Sequence, residues 1–281
     1  MDRVVLVSGG ARGIGAALAR AHRARGDLVV VADLHPTGPD QVRLDVRDRE
    51  DFARVADEVV ARHGRIDVFH ANAGIAVAGA MTEMTPQHWD DLIDVDLRGV
   101  VHGVEAVYPH LRRQGEGHIV VMGSLAGVLP VPAMVPYSAV KAAVVTMARA
   151  LRVEARRYGV RVTVVCPAFV ETPLLDHINP GLRPTHANRV GLRLVRKVQG
   201  PPMDPDRLAE RVVRTLHRNP ETILAPRPLA HLAVLGERLA PALTRRVSGV
   251  VLGRYLTMSP TEEEQSEVGR GSALRGGGAG P

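Results

Sequence analysis

Short apolar runs alternate along the chain with longer segments of helical periodicity. The runs are rich in Val, Ile and Leu, and they cover residues 4–8, 28–33, 41–46, 66–74, 117–124, 160–167 and 221–226. Helical patterns lie between them, ending near residue 25 and covering about 48–63, 85–113, 137–158 and 205–218. Nearly continuous aliphatic runs are typical of strands that are covered on both faces, which indicates parallel pairing. The pattern therefore predicts an α/β fold with one doubly wound parallel sheet.

Composition narrows the class of protein. The 281 residues are 45% hydrophobic, which is enough for a full core, and no apolar stretch reaches the length of a membrane span. The single cysteine, Cys166, excludes a disulfide within the chain and is typical of the reducing cytosol. The first apolar run is too short for a signal peptide. We therefore expect a cytoplasmic protein.

The chain carries a formal net charge of +6. Such a charge can attract nucleic acid, anionic lipid or acidic partners. No helix-turn-helix, zinc-finger spacing or basic-aromatic pattern accompanies it, so we expect no nucleic-acid binding. We also expect no metal site, because the histidines show no spacing with carboxylates that is typical of metal ligands.

A glycine-rich turn follows the first predicted strand and opens the first predicted helix. It is the segment SGGARGIG, which starts at Ser8. Glycines let the backbone turn tightly and approach a pyrophosphate, whose charge is stabilised at the N-terminus of a helix. The segment therefore predicts a dinucleotide-binding site.

Asp33 ends the second predicted strand and bears on the choice of dinucleotide. A carboxylate at this place accepts hydrogen bonds from the ribose hydroxyls of adenosine and repels a 2′-phosphate, which favours NAD. Arg12, inside the glycine turn, is the argument for NADP, because a cation there can help to hold a phosphate. We predict NAD as the cofactor and keep NADP as the alternative.

Three residues near the middle of the chain have the chemistry of a proton-transfer site. Tyr137 and Lys141 lie four residues apart on a predicted helix, so they share one face. A nearby ammonium favours the phenolate and lowers the pKa of the phenol, which allows a tyrosine to act as acid and base. Ser124 follows an apolar strand and offers a hydroxyl that can hold a substrate oxygen. We predict that the three residues form a catalytic group.

The order and spacing of these segments resemble the short-chain dehydrogenase/reductase family over about residues 3–225. The resemblance extends to LDV (44–46), NAG (72–74) and PAFVETP (167–173). It implies that LDV holds the adenine edge, and that the Val170 backbone and the Thr172 hydroxyl bind the nicotinamide carboxamide. The cofactor-binding residues that it implies are Gly9, Arg12, Gly13, Ile14, Gly15, Asp33, Asp45, Val46, Asn72, Ala73, Gly74, Tyr137, Lys141, Pro167, Val170 and Thr172.

Asp96 departs from the family pattern, which usually has asparagine at this position. The resemblance implies that the backbone carbonyl of this residue holds a water that links the lysine to solvent. We expect that an ionised Asp96 attracts the charge of Lys141 and weakens its effect on Tyr137. The prediction is an active enzyme with an altered pH optimum.

Residues and resemblance together predict an NAD(H)-dependent oxidoreductase that interconverts a secondary alcohol and a ketone on an apolar small molecule. One alternative is an NADPH-dependent ketoreductase of acyl-carrier-linked lipid or polyketide metabolism, which the arginine-rich segment 173–204 suggests. Another is a catalytically silent nucleotide sensor or scaffold. Such a protein is expected to lose Tyr137 or Lys141, and this chain keeps both.

The resemblance also predicts the domain organisation of the chain. Residues 1–258 are predicted to form one Rossmann-type domain, with residues 173–204 as a lid over the reacting carbon. Residues 227–258 form an amphipathic helical extension that we expect to pack on the body or on a partner subunit; an anionic membrane surface is the less favoured alternative. Residues 259–281 are predicted to be a disordered tail. The family implies a homo-oligomer that pairs through its long fourth and fifth helices.

Overall fold

A computed structural model describes residues 3–182 and 201–256 of the chain. Seven strands are present: β1 Val4–Ser8, β2 Leu28–Asp33, β3 Gln41–Arg43, β4 Val68–Ala71, β5 Gly117–Met122, β6 Val160–Pro167 and β7 Thr222–Ala225. The helices are α1 Gly13–Arg23, α2 Arg49–His63, α3 Pro86–Leu92, α4 Gly99–Gln114, α5 Val135–Ala155, α6 Pro173–Asp176, α7 Pro205–Thr215, α8 Leu229–Leu239 and α9 Pro241–Leu256.

The seven strands form one parallel sheet in the order β3-β2-β1-β4-β5-β6-β7. The order reverses between β1 and β4, so the chain winds outward from the middle of the sheet in both directions. The prediction of a doubly wound parallel α/β fold is confirmed. In such a sheet a ligand binds at the carboxyl ends of the strands, beside the point of reversal.

Helices cover both faces of the sheet, which explains why the strands read as continuous apolar runs. On one face α2, α4 and α5 bury a core in which the rings of Phe52 and Phe69 meet edge to face at 5.7 Å. On the other face Leu18 of α1 and Leu208 of α7 pack against β1, β4 and β6. A smaller apolar cluster surrounds Tyr137 near the carboxyl ends of the strands.

The long helix predicted over 85–113 is divided by a change in hydrogen bonding. Between α3 and α4 the backbone makes a π-helical segment, Ile93–Arg98, which contains the buried Asp96. A π segment inserts one residue into the turn and often marks a functional site. A single π turn shifts the side-chain pattern by only about one residue, so the sequence predicted one helix without this interruption.

The extension predicted over 227–258 consists of two helices, α8 and α9. They are separated at Ala240, directly before Pro241, which lacks the N–H that would continue α8. Of the predicted lid, residues 183–200 lie outside the described residues, and so does all of the predicted tail over 259–281. In the two described ranges, no helix combines the length and apolar composition needed to cross a bilayer.

Candidate active site

The glycine turn lies at the carboxyl end of β1 and is packed too closely for side chains. Gly9 has a φ of +64°, and a Cβ added there would lie 2.6 Å from the Cα of Ala73. A Cβ on Gly15 would lie 2.1 Å from the carbonyl oxygen of Gly9. The Asn72 side chain donates to the carbonyls of Ser8 and Gly9 at 3.1 and 3.0 Å. Asn72 therefore fixes the shape of the turn from the neighbouring strand.

The carboxylate of Asp33 is held beside this turn by two backbone amides. Its Oδ2 accepts from Ala11 N–H at 3.0 Å, and its Oδ1 accepts from His35 N–H at 3.0 Å. Arg12 lies next to Ala11 and is exposed. A Cβ at Gly9 or Gly15 would collide with neighbouring backbone, so only glycines fit this tight turn, and the carboxylate lies at the end of β2. Both features fit an adenine dinucleotide.

Residues of the LDV segment are bound by other side chains of the protein. Arg47 makes a bidentate ion pair with the Asp45 carboxylate, with a shortest distance of 2.6 Å, and holds the pKa of Asp45 below its usual range. The Val46 carbonyl lies 3.0 Å from Nδ1 of His102. Asp45 and Val46 are thus held by Arg47 and His102, two partners that sequence reasoning did not identify.

Three of the predicted residues meet at the carboxyl end of β5. Tyr137 and Lys141 lie on one face of α5, and the Lys141 ammonium is 5.7 Å from the centre of the Tyr137 ring. The Ser124 hydroxyl lies within hydrogen-bonding reach of Tyr137 and accepts from the Ala126 amide at 3.1 Å. All three are buried, with at most 9% of each residue exposed. The structure brings the tyrosine, the lysine and the serine together at this end of the sheet.

Lys141 is anchored at two points. Its Nζ donates to the Met122 carbonyl at 3.0 Å and lies 2.9 Å from Oδ2 of Asp96. Asp96 is completely buried, and its Oδ1 accepts from Ile75 N–H at 2.7 Å. The contact between Asp96 and Lys141 is an ion pair by distance, but its angles fall outside those of a hydrogen bond. The carboxylate thus attracts the lysine as expected.

The Met122 carbonyl is a site feature that sequence reasoning missed. A backbone carbonyl cannot be recognised from the residue type. The only indication of its role in the sequence was its position at the end of β5, directly before Gly123 and Ser124. Gly74, the last residue of the NAG segment, also lies against Asp96. A Cβ on Gly74 would be 3.0 Å from Asp96 Oδ2. The NAG segment therefore contacts both the glycine turn and the ion pair.

Burial and charge act in opposite directions on the buried tyrosine. Burial raises the pKa of Tyr137, the charge of Lys141 opposes this rise, and the Asp96 carboxylate adds to it. Burial lowers the pKa of Lys141, but Asp96 and Tyr137 outweigh burial, so the pKa is raised overall. Burial raises the pKa of Asp96. The ammonium at 2.9 Å and the Ile75 amide oppose that rise without cancelling it, so the pKa of Asp96 is raised overall.

The PAFVETP segment closes the site against the glycine turn. Val170 is buried and pairs with Met203, and the Thr172 hydroxyl donates to the Val170 carbonyl at 3.4 Å. A Cβ on Gly13 would lie 3.3 Å from the Thr172 side chain. Pro167 ends β6 at the same edge, and Ile14 packs beneath the turn on the core of α1 and α7. Within the described ranges, no three His, Cys, Asp or Glu residues are grouped as a metal site.

The fold and this arrangement define an NAD(P)-dependent oxidoreductase of the Rossmann type. Residues 3–183 match the family model for short chain dehydrogenases, and the chain belongs to that family. It is 32% identical over 204 residues to a 3-oxoacyl-[acyl-carrier-protein] reductase of Thermotoga maritima, covering 68% of this chain and 83% of the relative. It is 35% identical over 202 residues to a cis-4-hydroxycyclohexanecarboxylate dehydrogenase of Sinomonas cyclohexanicum, covering 67% and 81%.

A solved structure gives the same result for the fold. A short-chain dehydrogenase/reductase from Burkholderia phymatum, in complex with NAD, superimposes with a TM-score of 0.73 at 26% identity. The match covers 93% of this chain and 97% of that one. The sequence resemblance to the family is therefore confirmed.

Proposed function

We propose that the protein interconverts a secondary alcohol and a ketone with NAD(H), and that Tyr137, Lys141 and Ser124 carry out the proton transfer. The observation that carries the proposal is their position. A buried tyrosine, lysine and serine lie at the same edge of the sheet as the glycine turn and Asp33. When bound, the nicotinamide ring supplies or accepts the hydride.

Each side chain has a distinct part in this proposal. The Tyr137 hydroxyl donates its proton to the carbonyl oxygen in reduction and takes the alcohol proton in oxidation. Ser124, within reach of that hydroxyl, orients the substrate oxygen. Lys141 stabilises the phenolate by its charge and has a donor free for the nicotinamide ribose, since an ammonium has three N–H groups. Asp96 and the Met122 carbonyl fix the lysine in place.

Asp33 supports NAD over NADP. Its two oxygens are oriented by backbone amides, so the carboxylate cannot easily turn away from a ribose at the end of β2. A 2′-phosphate at that ribose would meet a negative charge. The exposed Arg12 is the feature that favours NADP. Dissociation constants for NADH and NADPH, measured with the wild type and Asp33→Asn, distinguish the two cofactors.

A second candidate is NADPH-dependent reduction of a 3-oxoacyl thioester. It is favoured by the similarity to the Thermotoga maritima 3-oxoacyl-[acyl-carrier-protein] reductase. The Sinomonas cyclohexanicum dehydrogenase supports the first candidate to a comparable degree. Turnover of ketones and secondary alcohols with NAD(H), compared with turnover of 3-oxoacyl thioesters with NADPH, separates the two candidates.

The mechanism is tested by Tyr137→Phe in a screen of secondary alcohols and ketones that follows reduced nicotinamide by absorbance. Loss of the acid/base should lower kcat at least roughly 100-fold. Tyr108→Phe is the matched control, because Tyr108 lies on α4 outside the site, where its ring meets that of Tyr158 edge to face. Equal turnover by Tyr137→Phe and the wild type would exclude the mechanism.

A further inference from the structure

The two C-terminal helices present an apolar stripe to solvent. In α8 three leucines are at least half exposed: Leu232 (62%), Leu235 (50%) and Leu239 (76%). The stripe continues in α9 at positions spaced by four and three residues, which lie on one face: Leu243 (61%), Val247 (56%) and Val250 (59%). We call these six residues the leucine stripe. Exposed apolar side chains that share a helix face are typical of an interaction surface.

The leucine stripe faces away from the body of the protein. Ala230 is the buried residue of α8, and it lies about half a turn round the helix from the stripe. Glu237, on the same side as Ala230, accepts from the Thr244 hydroxyl and so joins α8 to α9. Packing on the body thus uses the other face of α8. Nothing in the described parts of the chain covers the leucines.

The charge around the stripe is almost entirely positive. Residues 227–250 contain four arginines, at 227, 238, 245 and 246, and one carboxylate. That carboxylate, Glu237, is partly covered and lies 3.7 Å from Arg245. An amphipathic helix with arginines and few acids is typical of segments that lie on anionic membranes.

A second feature adjoins the stripe. A cleft of about 310 Å³ is lined by Arg211, Arg214, Thr215, Arg218 and Arg227. Within the described ranges these four arginines form no ion pair with a carboxylate. Arg211 is held in place by its bond to the Leu224 carbonyl at 2.8 Å. We call this feature the arginine cleft; guanidinium groups without a carboxylate partner favour phosphate oxygens.

The stripe and the cleft are joined by a short stretch of chain. Arg227 lines the cleft and lies two residues before Leu229, where α8 begins. Burial and the nearby charges of Arg227 and Arg214 lower the pKa of Arg211, as expected for cations held close together. An anion in the cleft would relieve this repulsion. The surface therefore combines an apolar face with an adjoining site for an anionic group.

We propose that this surface binds anionic membrane lipid, with the leucine stripe in the apolar layer and the arginine cleft on headgroup phosphates. A second copy of the chain fits less well. A two-fold interface brings the same patch of both subunits together, which would place arginines against arginines. An anionic bilayer offers apolar contact and opposite charge at once.

The test is co-sedimentation of the full chain with phosphatidylcholine vesicles, with and without phosphatidylglycerol. We expect binding that needs phosphatidylglycerol and weakens as salt rises. The double variant Arg214→Ala/Arg218→Ala should bind roughly 30-fold more weakly, since each arginine near an anionic surface contributes about a factor of five. Leu235→Glu/Leu239→Glu should abolish binding. Both changes are on exposed side chains, and circular dichroism checks the fold.

Matched controls separate this surface from general charge and hydrophobicity. Arg23→Ala/Arg62→Ala removes the same charge from exposed positions of α1 and α2, and Val153→Glu changes an exposed apolar residue of α5. These variants should bind as the wild type does. Equal loss in the controls, or no binding to phosphatidylglycerol vesicles by the wild type, would overturn the proposal.

Two other occupants of the surface would also overturn it. If the cleft holds only free anions, Arg214→Ala/Arg218→Ala will weaken binding of inorganic phosphate in calorimetry and leave vesicle binding unchanged. If the stripe is a subunit interface, Leu235→Glu/Leu239→Glu will change the oligomeric state in analytical ultracentrifugation and leave vesicle binding unchanged. Turnover is measured separately, so failure here does not bear on the proposed reaction.

Discussion

Asp96 places a carboxylate inside the site, next to the lysine that acts on Tyr137. The side chain is completely buried, 2.9 Å from the Lys141 ammonium and 2.7 Å from the Ile75 amide nitrogen. A buried carboxylate disfavours a second negative charge nearby, and Asp96 accordingly raises the pKa of Tyr137. Asparagine would keep the shape and the hydrogen bond from Ile75 but remove the charge.

We predict that Asp96→Asn shifts the pH-rate profile to lower pH. Without the carboxylate the phenolate of Tyr137 is less disfavoured, and Lys141 acts on it unopposed. The pKa of Tyr137 should fall, so the limb of the oxidation rate that depends on phenolate should move toward acid. The measurement is kcat/KM for alcohol oxidation as a function of pH.

Asp94→Asn is the matched control for this charge change. Asp94 lies on the same π segment, but it is partly exposed and pairs with Arg98 at the surface. Its removal should leave the limb where it is, because solvent screens the charge. If the pH dependence of kcat/KM has its limb at the same pH in the wild type and in Asp96→Asn, the proposed role of the buried carboxylate is contradicted.

At the scale of single residues, the side chains of the candidate site were largely predictable from the sequence, but their backbone partners were not. The spacing of Tyr137 and Lys141 on a helix and the position of Ser124 after a strand are local signals. The second anchor of Lys141 is the Met122 carbonyl. Every residue has a carbonyl, so only the register of β5 against α5 shows which one the lysine reaches.

At the scale of elements, the glycine turn depends on close contacts between three segments. The turn after β1 meets the NAG segment after β4 and the PAFVETP segment after β6, at Ala73 and Thr172 respectively. Strand order brings these segments together, since β4 neighbours β1 directly. The absence of side chains at Gly9 and Gly15 is therefore a requirement of packing as well as of cofactor approach.

We predict that Gly15→Ala loses cofactor affinity. The added Cβ would lie 2.1 Å from the Gly9 carbonyl oxygen, so the backbone of the turn must move away from the position that fits a pyrophosphate. The dissociation constant for NADH, measured by fluorescence titration, should rise at least roughly tenfold.

Gly26→Ala serves as the control for a general loss of stability. Gly26 has a φ of +82° with no atom near its Cβ position, so alanine there costs about 1 kcal/mol of backbone strain. It lies between α1 and β2, away from the turn. Its affinity for NADH should match the wild type, and a Gly15→Ala protein that is folded and binds NADH normally would refute the packing argument.

Helix periodicity predicted the amphipathic extension but not the direction of its faces. The spacing of leucines in α8 is typical of a helix that packs on a core. In the structure the body contacts the face of Ala230, and the leucines point outward. Which face is covered depends on where the chain leaves β7, and that is a tertiary property.

At the scale of the whole molecule, the sheet was predictable and a set of buried histidines was not. Aliphatic runs separated by helices allow few topologies, because parallel crossovers are right-handed and short. The histidines are single residues far apart in sequence. His22 Nε2 lies 2.9 Å from His70 Nε2, and His22 Nδ1 lies 2.6 Å from Asp27, which Arg3 also binds. Pairing of β1 with β4 brings them together.

These histidines should make the fold sensitive to acid. Burial lowers the pKa of His22, His70 and His118, the last to about 3. For His118 the charges of Arg161 and Arg152 act in the same direction as burial. Its Nε2 lies 2.8 Å from the Thr163 hydroxyl, which itself donates to the Pro220 carbonyl, so Nε2 carries the proton of a neutral imidazole. The folded state therefore resists a second proton that the unfolded chain accepts.

We predict that His118→Gln flattens the loss of stability in acid. A depressed pKa contributes stability that is present above the unfolded value of about 6.5 and is lost as pH falls toward 3. Below pH 6.5 each such histidine adds a slope approaching about 1.4 kcal/mol per pH unit. Glutamine does not titrate and can still donate to Thr163.

The free energy of unfolding in urea, measured between pH 7 and 5, should fall less steeply in the variant. His35→Gln, at an exposed position, should retain the wild-type slope, and equal slopes in His118→Gln and the wild type would show that His118 is not kept neutral by the fold.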